Sequence, residues 1–252
     1  MLGSVGVVGA VPGGGGLPAE WTPADLGAVF WVRGDLGVTV ETGVSAWADQ
    51  SGAGRHLVQA TTTMQPAIGA IAGKPALSFD GADDNIAGTT PGDWTFLHDG
   101  SGSTLSFVID NQDLETNGQV INTMRGNSTE VGFRLFWSFA GVYILTIGNG
   151  SETFLRNSSA TLGTGPQVWV IRFGATSVDV RLNGSQVAGL SGAYTGSPSA
   201  SAPQGALKIG DSVAGGGNPW LGLCAEVMAY DRVLTSDEVT AIEAYATARY
   251  SL

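Results

Sequence analysis

Cysteine is nearly absent. Cys224 is the one thiol in 252 residues, which excludes an internal disulfide and any multi-cysteine metal site. Set inside an apolar run, it reads as a small buried hydrophobe. Histidine is almost as scarce, with only His56 and His98. Two isolated histidines serve zinc poorly, and neither has a nameable partner for base catalysis. No G-x-S-x-G elbow occurs, so serine-hydrolase chemistry has no foothold. Charge is sparse and leans one way: charged side chains are 13% of the chain, and 11 basic against 22 acidic residues leave −11. That balance speaks against nucleic acid and against anionic membrane surfaces as partners. Lysine is confined to Lys74 and Lys208, with arginine supplying the other positive charges.

What the chain has in plenty is glycine. The 39 glycines are roughly twice the usual share. Each costs about 1 kcal/mol in a helix relative to alanine, so a mainly helical protein is excluded. An apolar share of 43% and seven tryptophans exclude long intrinsic disorder. A turn-rich, all-β chain remains.

Short apolar runs bounded by turn residues predict strands at Ala76–Phe79, Leu105–Ile109, Gly132–Phe139, Tyr143–Ile147 and Gln167–Phe173. Ser177–Leu182 alternates most clearly, with Val178, Val180 and Leu182 on one side and Asp179 and Arg181 on the other. Asn183-Gly184 follows as a type I′ hairpin signal, with Ser185–Ala188 as the returning strand. Leu221–Tyr230 is a longer apolar strand carrying Cys224 and Glu226. Strands at this spacing predict a sandwich or jelly roll. Two helices frame it. Thr22-Pro23-Ala24-Asp25 starts a short N-terminal one. Thr235-Ser236-Asp237-Glu238 is a capping box for a C-terminal one. Its face of Val239, Ile242, Tyr245, Ala246 and Tyr250 is predicted to seal one edge of the sandwich.

Residues 1–20 differ from the rest. Met1–Ala19 has no charged side chain, lacks the basic and unbroken apolar regions of a secretory signal, and is too rich in Gly and Pro for a membrane span. Leu2, Val5, Val7, Val8 and Val11 would gain by docking into a neighbouring subunit. The stretch reads as an attachment arm, and 21–252 as the folded domain.

Four segments carry a family likeness: WTPADLGAVFWVRGDLGVTV (21–40), WADQSGAGRHLVQA (47–60), KPALSFDGADDNI (74–86) and LGLCAEVMAYDRVLTSDEVTAIEAYATARYSL (221–252). Together they resemble the concanavalin A-like lectin/glucanase (laminin-G-like) jelly roll of bacteriophage virion and bacterial surface proteins. The middle, 87–205, matches only in pattern. The resemblance implies an all-β sandwich whose loops and concave face bind glycans or proteins, and a domain that binds rather than catalyses. Glucanase chemistry on that fold resembles Glu-x-Asp-x-x-Glu, which needs two acids on one strand face. No such run occurs, and Glu226 reads as a hydrogen-bonded structural carboxylate.

Two candidate sites remain. Asp80, Asp83, Asp84 and Asn85 crowd oxygen ligands into six residues, which suits either Ca²⁺ or an Asx-rich turn satisfying its own backbone. Asp49 and Ser51 read as turn-makers of the same kind. Sugar binding needs an aromatic plate with fixed polar partners. Trp220 with Asn218, then Trp94 and Tyr194, flank Gly/Pro/Ser-rich loops and are the candidates, with core packing as the competing reading. Trp31, Trp47, Trp137 and Trp169 read as core. The N-x-S/T asparagines Asn127, Asn149, Asn157 and Asn183 read as turn residues.

These features point to a non-enzymatic structural protein of a phage particle, on tail, fibre or capsid exterior. The arm would join other virion proteins, and a lectin-like domain would face host-surface glycans. Several copies are expected, because weak sugar sites gain from multivalency. No cofactor other than Ca²⁺ and no membrane insertion are expected. The alternative is a carbohydrate-binding module of a bacterial surface or secreted protein, and a polysaccharide hydrolase is the poorest fit.

Overall fold

The structure is a computed structural model that describes residues 21–252 except 113–115, 126–129, 139–140, 161, 195–197 and 214–216. The arm residues Leu2, Val5, Val7, Val8 and Val11, together with Asn127 and Phe139, lie outside the described residues.

Two antiparallel sheets face each other. The first runs Ser185–Gln186, Ser177–Leu182, Gly165–Phe173, Ser103–Asn111, Leu221–Tyr230, Lys74–Asp80, Ala67–Ile71, with Phe30–Arg33 also paired to Leu221–Tyr230. The second runs Thr153–Asn157, Val142–Asn149, Val131–Ser138, Gly118–Asn122, Lys208–Ile209, Ile86–Ala87, Leu57–Val58, Val44–Trp47, Val38–Val40. Sequence neighbours repeatedly part to opposite sheets, as a jelly roll requires. The main core lies between the sheets and holds Trp47, Trp94, Trp137, Trp169 and Trp220.

The alternation of Ser177–Leu182 holds: Val178 and Val180 are buried inward, while Asp179 pairs with Arg172 and Arg181 with Glu243 on the outer side. Asn183 and Gly184 follow with φ +47° and +79°. These are the left-handed values a type I′ turn demands at both positions. The returning strand is only Ser185–Gln186. Val187 N–H still donates to Val180 O at 2.8 Å, and its side chain is buried in the core.

The N-terminal helix is one 3₁₀ turn, Pro23–Leu26, closed by its Thr22–Asp25 capping box and ended by Gly27 at φ +76°. The C-terminal helix, Ser236–Tyr250, begins at the Thr235–Glu238 capping box. Its predicted apolar face is buried, but it covers the outer face of the first sheet rather than an edge. Val239 and Ile242 pack with Val170, Met228 and Tyr230, and Ala246 and Tyr250 pack with Val108, Val168 and Ala225. The central strands are therefore buried on both faces, and this is why Leu221–Tyr230 reads as an unbroken apolar run. No helix among the described residues is long and apolar enough to cross a membrane.

Candidate functional site

The segment Trp47–His56 turns around one carboxylate. Asp49 is buried. Its Oδ1 accepts from the backbone N–H groups of Trp31 at 3.0 Å and Ser51 at 2.9 Å. Its Oδ2 accepts from Ser51 Oγ at 2.9 Å and Arg55 N–H at 3.0 Å. Asp49 and Ser51 are thus turn-makers, and they also tie the loop to the first strand. The turn delivers Arg55 and His56 to a fixed place. The Asp49 backbone N–H donates to His56 Nδ1 at 3.0 Å, which leaves the ring proton on Nε2 as a donor. Arg55 donates from Nη1 to Val29 O at 2.6 Å and lays its guanidinium 5.6 Å from the Phe96 ring centre.

Arg55 and His56 line a pocket of about 160 Å³ with Gly88, Thr89, Asp93 and Trp94. It forms where Leu57–Val58 meets Ile86–Ala87 and the 3₁₀ turn Pro91–Leu97 folds across them. Trp94 is 1% exposed and packs edge-on against Phe30 at 4.9 Å. It therefore offers no open ring face to a sugar, which corrects the expectation of a stacking plate. Its indole edge is turned toward Gly88, where an added Cβ would stand 2.9 Å from Nε1. Only a residue without a side chain leaves that edge uncovered.

At the other end of Ile86–Ala87 sits the acidic cluster. Carboxylate oxygens of Asp80, Asp83 and Asp84 lie within 4.8 Å of one another. Part of the Asx-turn reading is met: Asp80 Oδ1 accepts from Ala82 N–H at 2.8 Å, and Asp84 Oδ2 accepts from Asp80 N–H at 3.1 Å. Asn85 does not join the cluster. Gln59 Nε2 donates to its Oδ1 at 2.7 Å, and its own Nδ2 donates to Asp83 O at 2.9 Å. The four-residue ligand set reduces to three carboxylates. Burial, then the neighbouring charges of Asp80 and Asp83, push the Asp84 carboxyl up to about 6. Such a trio suits a hard cation that brings its own waters.

The other predicted sugar contacts are dispersed. Trp220 is 1% exposed, donates to Asn111 Oδ1 at 2.8 Å and rests against Phe79 at 5.5 Å. It is core, not a sugar plate. Gly222 makes room for it, because a side chain there would strike the indole. Asn218 is half-buried, and its carbonyl accepts from Gln119 N–H at 2.9 Å. Tyr194 is half-buried, edge-on to Phe154 at 5.6 Å. Phe154 lies in the strand at the far end of the second sheet, five strand positions from Ile86–Ala87, or ~24 Å. Trp94, Trp220 and Tyr194 thus form no common site.

The sequence model of the concanavalin A-like lectin/glucanases superfamily, laminin-G type, matches residues 80–240, well over half of the chain. The chain belongs to this superfamily. Solved structures share its fold at low identity. A sialidase from Trypanosoma rangeli in complex with the inhibitor DANA aligns at TM-score 0.60 and 12% identity over 85% of this chain and 32% of its own. The binding domain of botulinum neurotoxin serotype G aligns at TM-score 0.61 and 11% identity over 88% of this chain and 51% of its own. The binding domain of Paraclostridial Mosquitocidal Protein 1 aligns at TM-score 0.59 and 12% identity, over 88% and 52%. This chain therefore spans about a third of the sialidase and about half of each toxin domain. No curated protein sequence matches it.

A superfamily that includes glucanases directs attention to Glu226. A bulge between Cys224 and Glu226 shifts the register against Ser103–Asn111. Cys224 faces the inter-sheet core, whereas Glu226 turns to the helix side. There it accepts from Trp31 Nε1 at 2.6 Å, Tyr245 Oη at 3.0 Å and Tyr250 Oη at 2.8 Å. It is wholly buried. Burial raises its carboxyl above the usual range, against the pull of those three donors and of Arg33. Its role is to fasten the C-terminal helix and the first strand to the sheet.

Proposed function

We propose that this chain is a non-enzymatic, glycan-binding structural protein of a bacteriophage particle. The observation that carries the binding part is the preorganised polar pocket of Arg55, His56, Thr89, Asp93 and Trp94 on a lectin-type sandwich. Concave sites with a few fixed polar groups are where small ligands bind. Two of the similar solved structures are themselves described as binding domains. The likeness of segments 21–40, 47–60, 74–86 and 221–252 to virion lectin-like domains supports the phage setting, with residues 1–20 as the segment that joins other virion proteins. Asp80, Asp83 and Asp84 would hold Ca²⁺, which would neutralise the cluster and brace the strand leading to the pocket. Copies on one particle would multiply a weak sugar contact into adhesion to the host surface.

The test is a glycan array probed with the wild type and with Gly88→Ala, whose methyl would meet the Trp94 indole edge. Wild-type signals that vanish in Gly88→Ala are expected, with a lowered unfolding temperature because the buried indole must shift, so the arrays are compared at a temperature where both proteins are folded. An array blank for the wild type would sink the binding reading, and cleavage of any polysaccharide would sink the non-enzymatic one. Deleting residues 1–20 is expected to abolish incorporation into particles while the sandwich stays folded.

A further inference from the structure

The charge pattern of the pocket identifies its ligand more closely. Acids outnumber bases two to one in this chain, 22 to 11. Most arginines are accordingly paired: Arg33, Arg125, Arg172, Arg181, Arg232 and Arg249 each have a carboxylate within 4.0 Å. Arg55 has none among the described residues. It is nonetheless held in place by Val29 O and the Phe96 ring, and its Nε is buried with no acceptor. A half-exposed guanidinium held in place without a counter-charge is suited to a carboxylate arriving from solvent. Two further N–H donors line the same pocket. His56 Nε2–H has its tautomer set by Asp49, and Trp94 Nε1–H lies at the edge that Gly88 leaves open. At about 160 Å³ the pocket is too small for an oligosaccharide and large enough for one charged end of a sugar.

We infer that the pocket receives the carboxylate of an acidic sugar residue, with Arg55, His56 and Trp94 as donors. Thr89 and Asp93 line the same pocket and meet the sugar hydroxyls. This rests on the glycan-binding reading above and narrows it to uronate-type ligands. Asp93 gives the inference an asymmetry. Its charge opposes the incoming carboxylate while its oxygens accept from hydroxyls, so its removal helps an acidic sugar and harms a neutral one.

The experiment is an NMR titration of the full chain with methyl β-glucuronide, methyl β-glucoside and acetate. The wild type is expected to bind the glucuronide at least about tenfold more tightly than either of the others. Arg55→Met, which keeps the stem over Phe96, is expected to erase that preference, and Arg55→Lys to restore part of it. Asp93→Asn is expected to tighten the glucuronide a few-fold and weaken the glucoside. Equal affinity for the two glycosides overturns the inference but leaves glycan binding standing. So does a preference that survives Arg55→Met in a variant with unchanged unfolding temperature. Acetate binding as tightly as the glucuronide overturns the sugar part, and weaker glucuronide binding by Asp93→Asn places the carboxylate elsewhere. If the wild type binds neither glycoside and the glycan array is blank, both readings fall together.

Discussion

Glu226 and Asp84 are both buried carboxylates with upward-shifted titration, and they stand at opposite extremes of how a charge is housed. Around Glu226 the protein supplies three side-chain donors, from Trp31, Tyr245 and Tyr250, with Arg33 nearby. Around Asp84 it supplies two further carboxylates and a single backbone N–H. A buried charge with all its oxygens engaged is part of the architecture. A half-satisfied cluster of like charges is tolerated only where something from outside completes it, or where solvent reaches it.

Removing each group sharpens the contrast. Glu226→Ala leaves the buried donors of Trp31 and Tyr250 and the half-buried Tyr245 without an acceptor, each buried one costing about 1–3 kcal/mol, so a loss of about 3 kcal/mol or more is expected in urea unfolding. Asp84→Ala is expected to cost under about 1 kcal/mol, since it also relieves repulsion. Equal losses would erase the distinction. Calcium offers the next test. At a hundredfold excess over its dissociation constant, a bound ion stabilises by about 2.7 kcal/mol. A rise in unfolding temperature with CaCl₂, absent in Asp84→Asn, is expected. No rise for the wild type would leave the trio as an Asx turn alone.

The pH dependence of Asp84 follows from its raised value of about 6. A carboxyl raised in the folded state contributes stability that is complete below its unfolded value near 3.8 and is lost as pH climbs through 6. Without calcium, Asp84→Asn is therefore expected to match the wild type at pH 3.5 and to exceed it above pH 6.5 by ~1 kcal/mol, solvent damping the repulsion from exposed Asp80. A wild type that gains on the variant as pH rises would reverse the sign and remove the basis for a cation site.

Much of the fold was legible because its signals are local. Leu221–Tyr230 and Ser177–Leu182 occupy the predicted residues. Asn183-Gly184 and the two capping boxes each set their geometry within four residues. Trp31, Trp47, Trp137 and Trp169 are core as expected. The family resemblance held as well, but the match spans residues 80–240, so it rests on the middle that resembled the family only in pattern and takes in little of the segments at either end. The sites were less legible, because they depend on distant partners. Trp220 follows a glycine-rich loop and looked exposed, yet Asn111, 109 positions away, accepts its indole N–H. Asn85 looked like a ligand until Gln59 turned it inward. The pocket joins Arg55 and His56 to Gly88 and Trp94 across more than thirty residues, and two-residue strands such as Leu57–Val58 and Ile86–Ala87 make that junction. Such strands carry no periodicity to read. Of the predicted sugar contacts only Trp94 lines the pocket, and its ring is buried rather than open to a sugar.

Glu238 provides the smallest test and the opposite sign. It accepts from Arg232 Nη1 at 2.8 Å and Nη2 at 2.7 Å, and from Thr235 N–H at 2.8 Å in the helix cap. The Arg232 guanidinium first, and the cap second, hold its carboxyl down to about 2. A carboxyl lowered in the folded state contributes stability that is present above its unfolded value near 4.5 and lost as pH falls through 2. The pair is partly open to solvent, with the Arg232 side chain 44% exposed, so Glu238→Gln is expected to cost only ~0.5–1 kcal/mol at pH 7. The difference from wild type is expected to shrink steadily between pH 5 and pH 2, while the Asp84→Asn difference opens between pH 4 and pH 7. Two carboxyl substitutions with opposite slopes in adjoining pH windows separate a charge the fold has completed from one it has left open. Parallel slopes would show that the environment of Asp84 is no different in kind from that of Glu238.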